Sequence, residues 1–393
     1  MSMFCYQCEQ TAKGAGCTSM GVCGKDPEVA TLQDALVYAA EGIAMYAHRA
    51  RALGAKEASV DTFLIKALFT TVTNVDFDPA RIEALIREAA TTRDKAKALY
   101  EAACDKANKS PEQLSGAAAA DLSGDRAALA ALGESIGIAK RKEAQGDDVT
   151  GLQELIMYGA KGTAAYADHA QILGQTDDAV YAFFAEVLDF LTEEHSVEEL
   201  TGMALKVGEV NLQVMGLLDA GNTGTFGNPE PTPVRVDPVK GKAILVSGHD
   251  LKDLEELLKQ TEGKGVNIYT HSEMLPGHGY PGLKKYKHLV GNYGTAWQNQ
   301  KKEFDEFPGA ILMTTNCIQK PKESYQARIF TTGLVGWPGV THVPDHQFGP
   351  VIEAALAAPG FTEDGPGKTI LTGFGHNAVL GVADKVIEAV KGG

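Results

Sequence analysis

The sequence has few cysteines, a deficit of basic side chains and no long apolar run, and each shortage excludes a class of protein. Six Cys in 393 residues are too few for a secreted disulfide scaffold. Lys and Arg number 36 against 51 Asp and Glu, which gives a net charge of −15. That balance disfavours nucleic acid and anionic membranes as partners, because binding to phosphate groups needs a basic surface.

The sequence also lacks the apolar segments that anchor proteins in membranes or direct their export. No apolar stretch approaches the roughly 18 residues of a spanning helix, and the first residues lack the basic and then apolar pattern of a secretion signal. We therefore expect a cytoplasmic protein whose partners are small molecules and redox proteins. Hydrophobic residues make up 44% of the chain and charged residues 22%, as in folded globular proteins, and the length favours two or three domains.

An internal repeat organises the first half of the chain. Residues 31–54 and 151–174 align without a gap at an offset of 120 and match at 11 of 24 positions. In both copies apolar and small residues recur at helical spacing. Gly42 corresponds to Gly162, and a glycine within a helix indicates close helix–helix packing at each position. We predict two repeated three-helix bundles.

The helical pattern ends near residue 219, where glycine and proline become frequent and predict a domain boundary. Beyond this point short apolar runs alternate with helical stretches, which is typical of a Rossmann-like, parallel α/β fold. The runs predicted as strands are residues 242–248, 266–271, 310–315 and 369–374. The predicted domains of this multidomain α and α/β chain are a cysteine-rich segment (1–27), the repeated helical bundles (28–225) and the Rossmann-like α/β domain (226–393).

Polar residues follow the predicted strands, at the edge of a parallel sheet where ligands bind. We expect four loops to meet there in one crevice: residues 248–250, 271–273, 316–317 and 375–377. Taken singly, His249 is also typical of a helix cap and Glu273 of a turn. Together with Cys317 they form a mixed nitrogen, oxygen and sulfur ligand set, which suits a metal centre with open positions for substrate. Candidate hydrogen-bond donors beside it are His271, His278 and His376.

Four of the six cysteines fall within the first 23 residues, in the pattern Cys5-x2-Cys8-x8-Cys17-x5-Cys23. In a reducing compartment such crowding favours metal over disulfides. Thiolates select an iron–sulfur cluster or zinc, and the spacing differs from both ferredoxin patterns. We favour one iron–sulfur cluster, with a zinc site and disulfides as the alternatives. Cys104, in an Ala-rich helix, is interpreted as a small buried hydrophobic residue without a role.

Long strings of the sequence resemble the hybrid cluster, or prismane, protein family, which includes the hydroxylamine reductases. The resemblance covers essentially the whole chain. Besides the repeated helical segment, the strings that carry it are MFCYQCEQTAKGAGCTSMGVCGK, GHDLKDLEELL, HSEMLPGHGYP, TTNCIQKPKESYQARIFTTGLVGWPGV and GFGHNAVLGVADKVIEAVK.

The resemblance implies two iron–sulfur centres. The residues that match the ligands of the family's 4Fe-4S cubane are Cys5, Cys8, Cys17 and Cys23, and relatives with wider spacing are associated with a 2Fe-2S centre. The family's second centre is a hybrid 4Fe-2O-2S cluster held by one His, two Glu and four Cys. His249, Glu273 and Cys317 match three of these seven ligands, and the resemblance implies that they are the catalytic residues.

The other four ligands of the hybrid cluster lie, in the family, in a third domain that follows the helix ending near Val390. This sequence has no cysteine after Cys317. We therefore expect either a shortened chain or natural fragment, or a completing domain that is supplied separately. With four ligands missing, the hybrid cluster is not expected to assemble as it does in the family.

The activity implied by the family is the reduction of hydroxylamine to ammonia and water, or the reduction of nitric oxide. Such an enzyme takes a small nitrogen-oxide substrate and receives electrons from a soluble redox protein. Two alternatives stay open: a catalytically silent, cluster-binding electron-transfer or scaffold module, and a zinc-stabilised structural protein. An uncovered sheet edge or apolar face would favour a homodimer.

Overall fold

The chain divides into two compact units, with the boundary between Leu218 and Asp219. The computed structural model describes residues 3–392. The first unit is helical, and the second combines a parallel sheet with helices. The predicted fold class, repeated helical bundles followed by a Rossmann-like α/β part, is confirmed. Among the described helices, none has the length and apolar composition needed to cross a membrane.

The helices that begin in the first unit reproduce the sequence repeat. They are α1 (Pro27–Ala52), α2 (Ala58–Thr70), α3 (Pro79–Lys106), α4 (Arg126–Ile136), α5 (Ile138–Gln145), α6 (Asp147–Ile172), α7 (Asp178–Phe190) and α8 (Val197–Phe226). The first and sixth both span 26 residues, and the second and seventh both span 13. Their starts differ by 120 in each case, 147 against 27 and 178 against 58. The two copies therefore kept the same helix lengths as well as similar residues.

Local capping explains where two of these helices begin. The Asp26 carboxylate accepts a hydrogen bond from the Val29 backbone N–H at 2.8 Å, and Pro27 occupies the first helical position. Asp78 and Pro79 begin α3 in a similar way, with the Asp78 carboxylate accepting from the Ala80 backbone N–H at 2.9 Å. An acidic cap satisfies an unpaired N–H group, and proline at this position has none to satisfy.

The end of α8 differs from the prediction that the helical pattern stops near residue 219. The helix continues to Phe226, through Gly221 and Gly224. A glycine lowers helix stability by only about 1 kcal/mol relative to alanine, so two of them do not end a long helix. The first proline of the following segment, Pro229, lies beyond the helix end.

The two equivalent glycines of the repeat have different surroundings. A Cβ atom on Gly42 would lie 2.3 Å from the carbonyl oxygen of Ala117, so only glycine allows this backbone to approach α1. A Cβ on Gly162 would meet no described atom within 4 Å. The prediction of close packing is therefore confirmed for Gly42 and wrong for Gly162.

We expect Gly42→Ala and Gly162→Ala to change stability in opposite directions. The first overpacks the contact with Ala117 and should lower the free energy of unfolding by about 1–3 kcal/mol. The second fills open space and should raise it by about 0.5–1 kcal/mol, because alanine is the better helix former. Urea unfolding followed by circular dichroism measures both, and equal effects of the two substitutions would contradict the packing described here.

The second unit is built on a six-stranded sheet whose neighbouring strands pair in parallel. The strands of the unit are β1 (Thr232–Arg235), β2 (Lys242–Ser247), β3 (Val266–Thr270), β4 (Leu289–Asn292), β5 (Ala310–Met313), β6 (Ile329–Thr331), β7 (Thr341–His342) and β8 (Thr369–Thr372). The order in the sheet is β4-β3-β2-β5-β6-β7. Residues 243–247 of the central strand β2 are all buried, as expected for a parallel sheet covered on both faces.

Helices lie between these strands and after the last of them. They are α9 (Leu251–Thr261), α10 (Pro281–Lys284), α11 (Gln300–Glu306), α12 (Glu323–Gln326), α13 (Gly349–Ala357), α14 (His376–Leu380) and α15 (Ala383–Gly392). Leu254, Leu257 and Leu258 of α9 are fully buried. The helix directly after β2 therefore packs its apolar face into the core of the unit.

The last predicted strand lies outside the parallel sheet. β8 pairs antiparallel with β1 in a separate two-stranded ribbon, in which Thr372 lies opposite Thr232. Placing residues 369–374 in the parallel sheet was therefore wrong. Ile370 and Leu371 are 41% and 62% exposed, and a short apolar run cannot by itself distinguish a central strand from an edge ribbon.

Candidate metal centre

Three side chains meet beyond the carboxyl ends of three neighbouring strands. His249 follows β2, Glu273 follows β3 and Cys317 follows β5. One ligand atom from each residue lies within 4.8 Å of the others. The three donors are an imidazole nitrogen, a carboxylate oxygen and a thiol sulfur, a combination that suits a transition metal.

The loop after the neighbouring strand β5 orients His249. Its backbone N–H donates to Thr315 Oγ1 at 2.8 Å, and its ring Nδ1 lies 3.3 Å from the same oxygen. In the tautomer with the proton on Nδ1, the ring donates to Thr315 and Nε2 is unprotonated, the form in which imidazole binds metals. Gly248 permits this contact, because a Cβ there would lie 2.4 Å from Thr314 Oγ1.

Glu273 is the exposed member of the trio. The hydroxyl of Ser272 donates to Glu273 Oε2 at 2.6 Å. Ser272 has φ +53°, a left-handed conformation that is uncommon for a residue with a side chain. The turn after β3 thus directs the carboxylate while leaving it accessible to solvent.

Cys317 is buried and its loop is held by one glutamine. The Gln300 amide donates to the Cys317 carbonyl at 2.5 Å and accepts from the Gln319 N–H at 2.9 Å. Cys317 itself has φ +73°, so these two hydrogen bonds hold a strained backbone. Burial, and then the charge of Glu273, raise the pKa of the Cys317 thiol, and metal binding would therefore release a proton from it.

We expect Gln300→Leu to loosen the Cys317 loop. The substitution leaves a buried carbonyl and a buried N–H without partners, which should lower the free energy of unfolding by about 1–3 kcal/mol. Chemical denaturation measures the change.

The matched control is Gln298→Leu, which makes the same substitution at an exposed position of the same segment and should alter stability by less than about 0.5 kcal/mol. Similar values for the two variants would argue against the role of Gln300.

The other histidines of the predicted crevice do not join the trio. His271 is fully buried; its Nδ1 lies 3.1 Å from Ser247 Oγ and its Nε2 2.9 Å from Glu303 Oε2. Burial alone would raise the pKa of Glu303, but hydrogen bonds from His271 and Thr295 outweigh it and hold that pKa below its usual value. With both ring nitrogens engaged, His271 links the loop after β3 to α11.

His278 and His376 have opposite environments. His278 is buried, and its Nε2 lies 2.9 Å from Thr270 Oγ1. His376 follows β8, outside the parallel sheet; its side chain is 82% exposed and lies 3.8 Å from Asp219. The expectation that the loop at 375–377 joins the crevice was therefore wrong, since its strand belongs to the separate ribbon.

We expect His278 to make folding sensitive to acid. Burial lowers its pKa from 6.5 to about 4, so the unfolded chain binds this proton first as the pH falls. The free energy of unfolding should decrease between pH 6.5 and 4, by up to about 3 kcal/mol from this residue.

His278→Gln should reduce that pH dependence in denaturant titrations, whereas the exposed control His376→Gln should keep it. An unchanged slope in the first variant would exclude the effect.

The N-terminal cysteines lie on a short, irregular segment that folds back on itself. Cys5 and Cys17 pair through backbone hydrogen bonds of 3.0 and 2.8 Å. Cys17 and Cys23 are buried, and Cys5 and Cys8 are partly buried. Burial mainly, and then the charges of Cys5 and Cys8, raise the pKa of the Cys23 thiol. Within residues 3–392, however, the four cysteine sulfurs are not gathered into a compact ligand group of the kind that His249, Glu273 and Cys317 form.

The surroundings of these sulfurs fit a cluster. Burial alone would raise the pKa of the Cys17 thiol, but backbone N–H groups, including that of Ala12 at 3.4 Å, outweigh it and lower the pKa. Hydrogen bonds to sulfur are typical of cluster-binding loops. A Cβ on Gly21 would lie 3.0 Å from Cys23 Sγ, so glycine keeps the space beside that sulfur open.

Sequence patterns did not identify the residues that support the trio. Thr315 lies next to the predicted loop at 316–317, but no pattern connected it with His249. Gln300 and Glu303 belong to a polar, seven-residue helix, where such residues normally face solvent. Their roles come from tertiary contacts that no local signal carries.

Together, the fold and the trio define a helical and α/β protein with a candidate metal centre at the strand ends of its parallel sheet. The sequence profile of the Prismane/CO dehydrogenase family matches residues 3–393, and the chain belongs to this family.

Curated relatives include the hydroxylamine reductase of Rhodospirillum rubrum, which is 58% identical over 392 residues, covering 100% of this chain and 71% of that protein. The hydroxylamine reductase of Syntrophobacter fumaroxidans is 57% identical, covering 99% and 71%. The solved structure of carbon monoxide dehydrogenase IV from Carboxydothermus hydrogenoformans is 15% identical, with a TM-score of 0.41, covering 98% of this chain and 60% of that one.

Proposed function

We propose that this chain is an iron–sulfur oxidoreductase of the hydroxylamine reductase type. The observation that carries the proposal is the meeting of His249, Glu273 and Cys317 within 4.8 Å. Relatives named hydroxylamine reductase, 52–58% identical, support the choice of reaction. Hydroxylamine takes up two electrons and two protons, its N–O bond breaks, and ammonia and water leave.

The trio fits part of a polynuclear metal centre. Its donors are of three chemical kinds, and together they occupy only some of the coordination positions of a metal. A cluster of iron, sulfur and oxygen bound there would supply irons that polarise the N–O bond and transfer electrons to it.

The chain's own residues hold and order these ligands. Thr315 orients His249, and Gln300 fixes the loop of Cys317. Glu273 is exposed and held by the neighbouring Ser272. Glu273 is therefore the ligand that can most easily turn away to admit a substrate.

The N-terminal cysteines are the proposed ligands of a 4Fe-4S cluster. Hydrogen bonds to Cys17 Sγ and the open space beside Cys23 Sγ support this assignment. Such a cluster would accept electrons from a soluble redox protein. The identity of that donor, the cytoplasmic location and the homodimer stay predictions.

The first test is the content of iron and acid-labile sulfide, with EPR spectra, in protein purified without oxygen. The proposal predicts more iron than the about four atoms of one cubane, and turnover of hydroxylamine with a reduced dye. Because the trio alone does not complete a hybrid cluster, this result requires that its remaining ligands are supplied separately. Cys317→Ser should lose the additional signal and the turnover while keeping about four irons.

Cys104→Ser, which changes another buried cysteine, should leave iron content and turnover unchanged. About four irons and no turnover in the unmodified chain would refute the proposal and favour the catalytically silent electron-transfer module. Assays with nitric oxide in place of hydroxylamine decide between the two nitrogen substrates.

A further inference from the structure

The first unit contains a large cavity that borders the cysteine segment and to which the proposed function assigns no ligand. Its volume is about 630 Å³, and it is lined by α1, α5, α6 and the N-terminal segment, including Cys5 and Lys25. Pockets of this size, with polar groups among apolar side chains, commonly bind small molecules. Val37, Met45 and Met157 supply part of its apolar wall.

Equivalent faces of the two repeat copies line this cavity. Tyr38 of α1 and Tyr158 of α6 both border it, and so do Asp34 and Glu154, which occupy equivalent positions and are both acidic. The pair one turn further along is different, because Glu41 corresponds to Lys161. The duplicated face thus carries opposite charges at a single pair of positions.

Three charged side chains of the cavity make no hydrogen bond or ion pair within the described residues, although the ammonium group of Lys161 lies 5.9 Å from the centre of the Tyr158 ring. Lys161 is only 6% exposed, yet no hydrogen bond or ion pair joins its ammonium group to any group in residues 3–392. The same holds, within that range, for the carboxyl groups of Asp34 and Glu41. By contrast, Glu154 pairs with Arg141.

Unpaired charges inside a protein are costly. Burial raises the pKa of Asp34 to about 6 and that of Glu41 to about 7, although nearby cationic side chains lower both. The shifts have the direction expected of carboxyl groups without a direct cationic partner. A bound molecule that supplies the missing partners would remove this cost.

The charged and apolar side chains that line the cavity determine which class of small molecule it can bind. Four lysine and arginine side chains and four aspartate and glutamate side chains border the cavity, so a ligand with net charge gains little from it. A dipolar ligand gains from both signs, and the apolar wall suits a hydrocarbon group.

We propose that the cavity binds a small zwitterion of the α-amino acid class. Its carboxylate accepts from Lys161, its ammonium group donates to Asp34 and Glu41, and its apolar side chain contacts Val37 and Met157. This binding site uses none of the three residues of the trio, and the inference does not rest on the proposed reductase activity, although Cys5 also borders the cavity.

Isothermal titration calorimetry on the 393-residue protein, purified without oxygen, tests the proposal with four probes. They are L-leucine, L-leucinamide, N-acetyl-L-leucine and inorganic phosphate. We expect leucine to bind, and the amide and acetyl derivatives to bind at least about tenfold more weakly, because each lacks one charge-assisted hydrogen bond. Phosphate should not bind.

Two substitutions test the contacts of the ligand's carboxylate and of its ammonium group separately. Lys161→Met should weaken the binding of leucine, whose carboxylate loses its hydrogen-bond donor. The binding of leucinamide should stay unchanged, because leucinamide has no carboxylate that could interact with Lys161. Glu41→Gln should weaken the binding of leucine and leave that of N-acetyl-leucine unchanged. The control is Lys109→Met, the same change at an exposed lysine of the same unit, which should leave leucine binding unaltered.

Absence of leucine binding to the unmodified protein would overturn the proposal, and so would equal affinities for leucine and its two derivatives. Binding of phosphate in place of leucine would identify a simple anion site and also overturn it. These outcomes depend on the unmodified protein alone, so the test stands even where a variant fails to fold. Iron content, measured on the same samples, shows whether a variant also disturbs the cysteine segment.

Discussion

The parallel pairing of β2 with β3 on one side and β5 on the other is the constraint on which the candidate centre depends. Val246 lies opposite both Thr270 and Leu312, so the three strands end at nearly the same level. Glu273 and Cys317, 24 and 68 positions after His249, therefore reach the same place as that residue. A slip of one residue in either pairing would turn the side chains of that strand to the opposite face and separate the ligands.

Buried polar side chains also fix the loops that follow these strands. Thr315, Gln300 and the pair of His271 with Glu303 each connect a loop at the strand ends to another element. In a low-dielectric interior such hydrogen bonds are strong when complete and costly when broken. The loops are thus held by specific partners rather than by general packing.

Much of the fold could be predicted from periodicity. The repeat at an offset of 120, the alternation of strands and helices, and the polar residues after three strands were visible because they follow regular spacing. The ribbon of β1 with β8 and the extension of α8 to Phe226 were not, since short apolar runs and isolated glycines are compatible with several structures. Gln300 and the cavity between the repeated faces depend on residues far apart in sequence, which periodicity does not connect.

The strained residues of the second unit indicate whether folding of the chain or binding of metal comes first. Ser272 and Cys317 adopt left-handed backbone conformations that hydrogen bonds and packing within the polypeptide maintain. The ligand loops of this unit therefore acquire their geometry as the chain folds, before any metal of the proposed centre would bind. The cysteine segment has little regular structure of its own between residues 3 and 26, so insertion of the proposed cluster there would be coupled to folding. Chelation should accordingly leave the α/β unit folded while the N-terminal segment loses its shape.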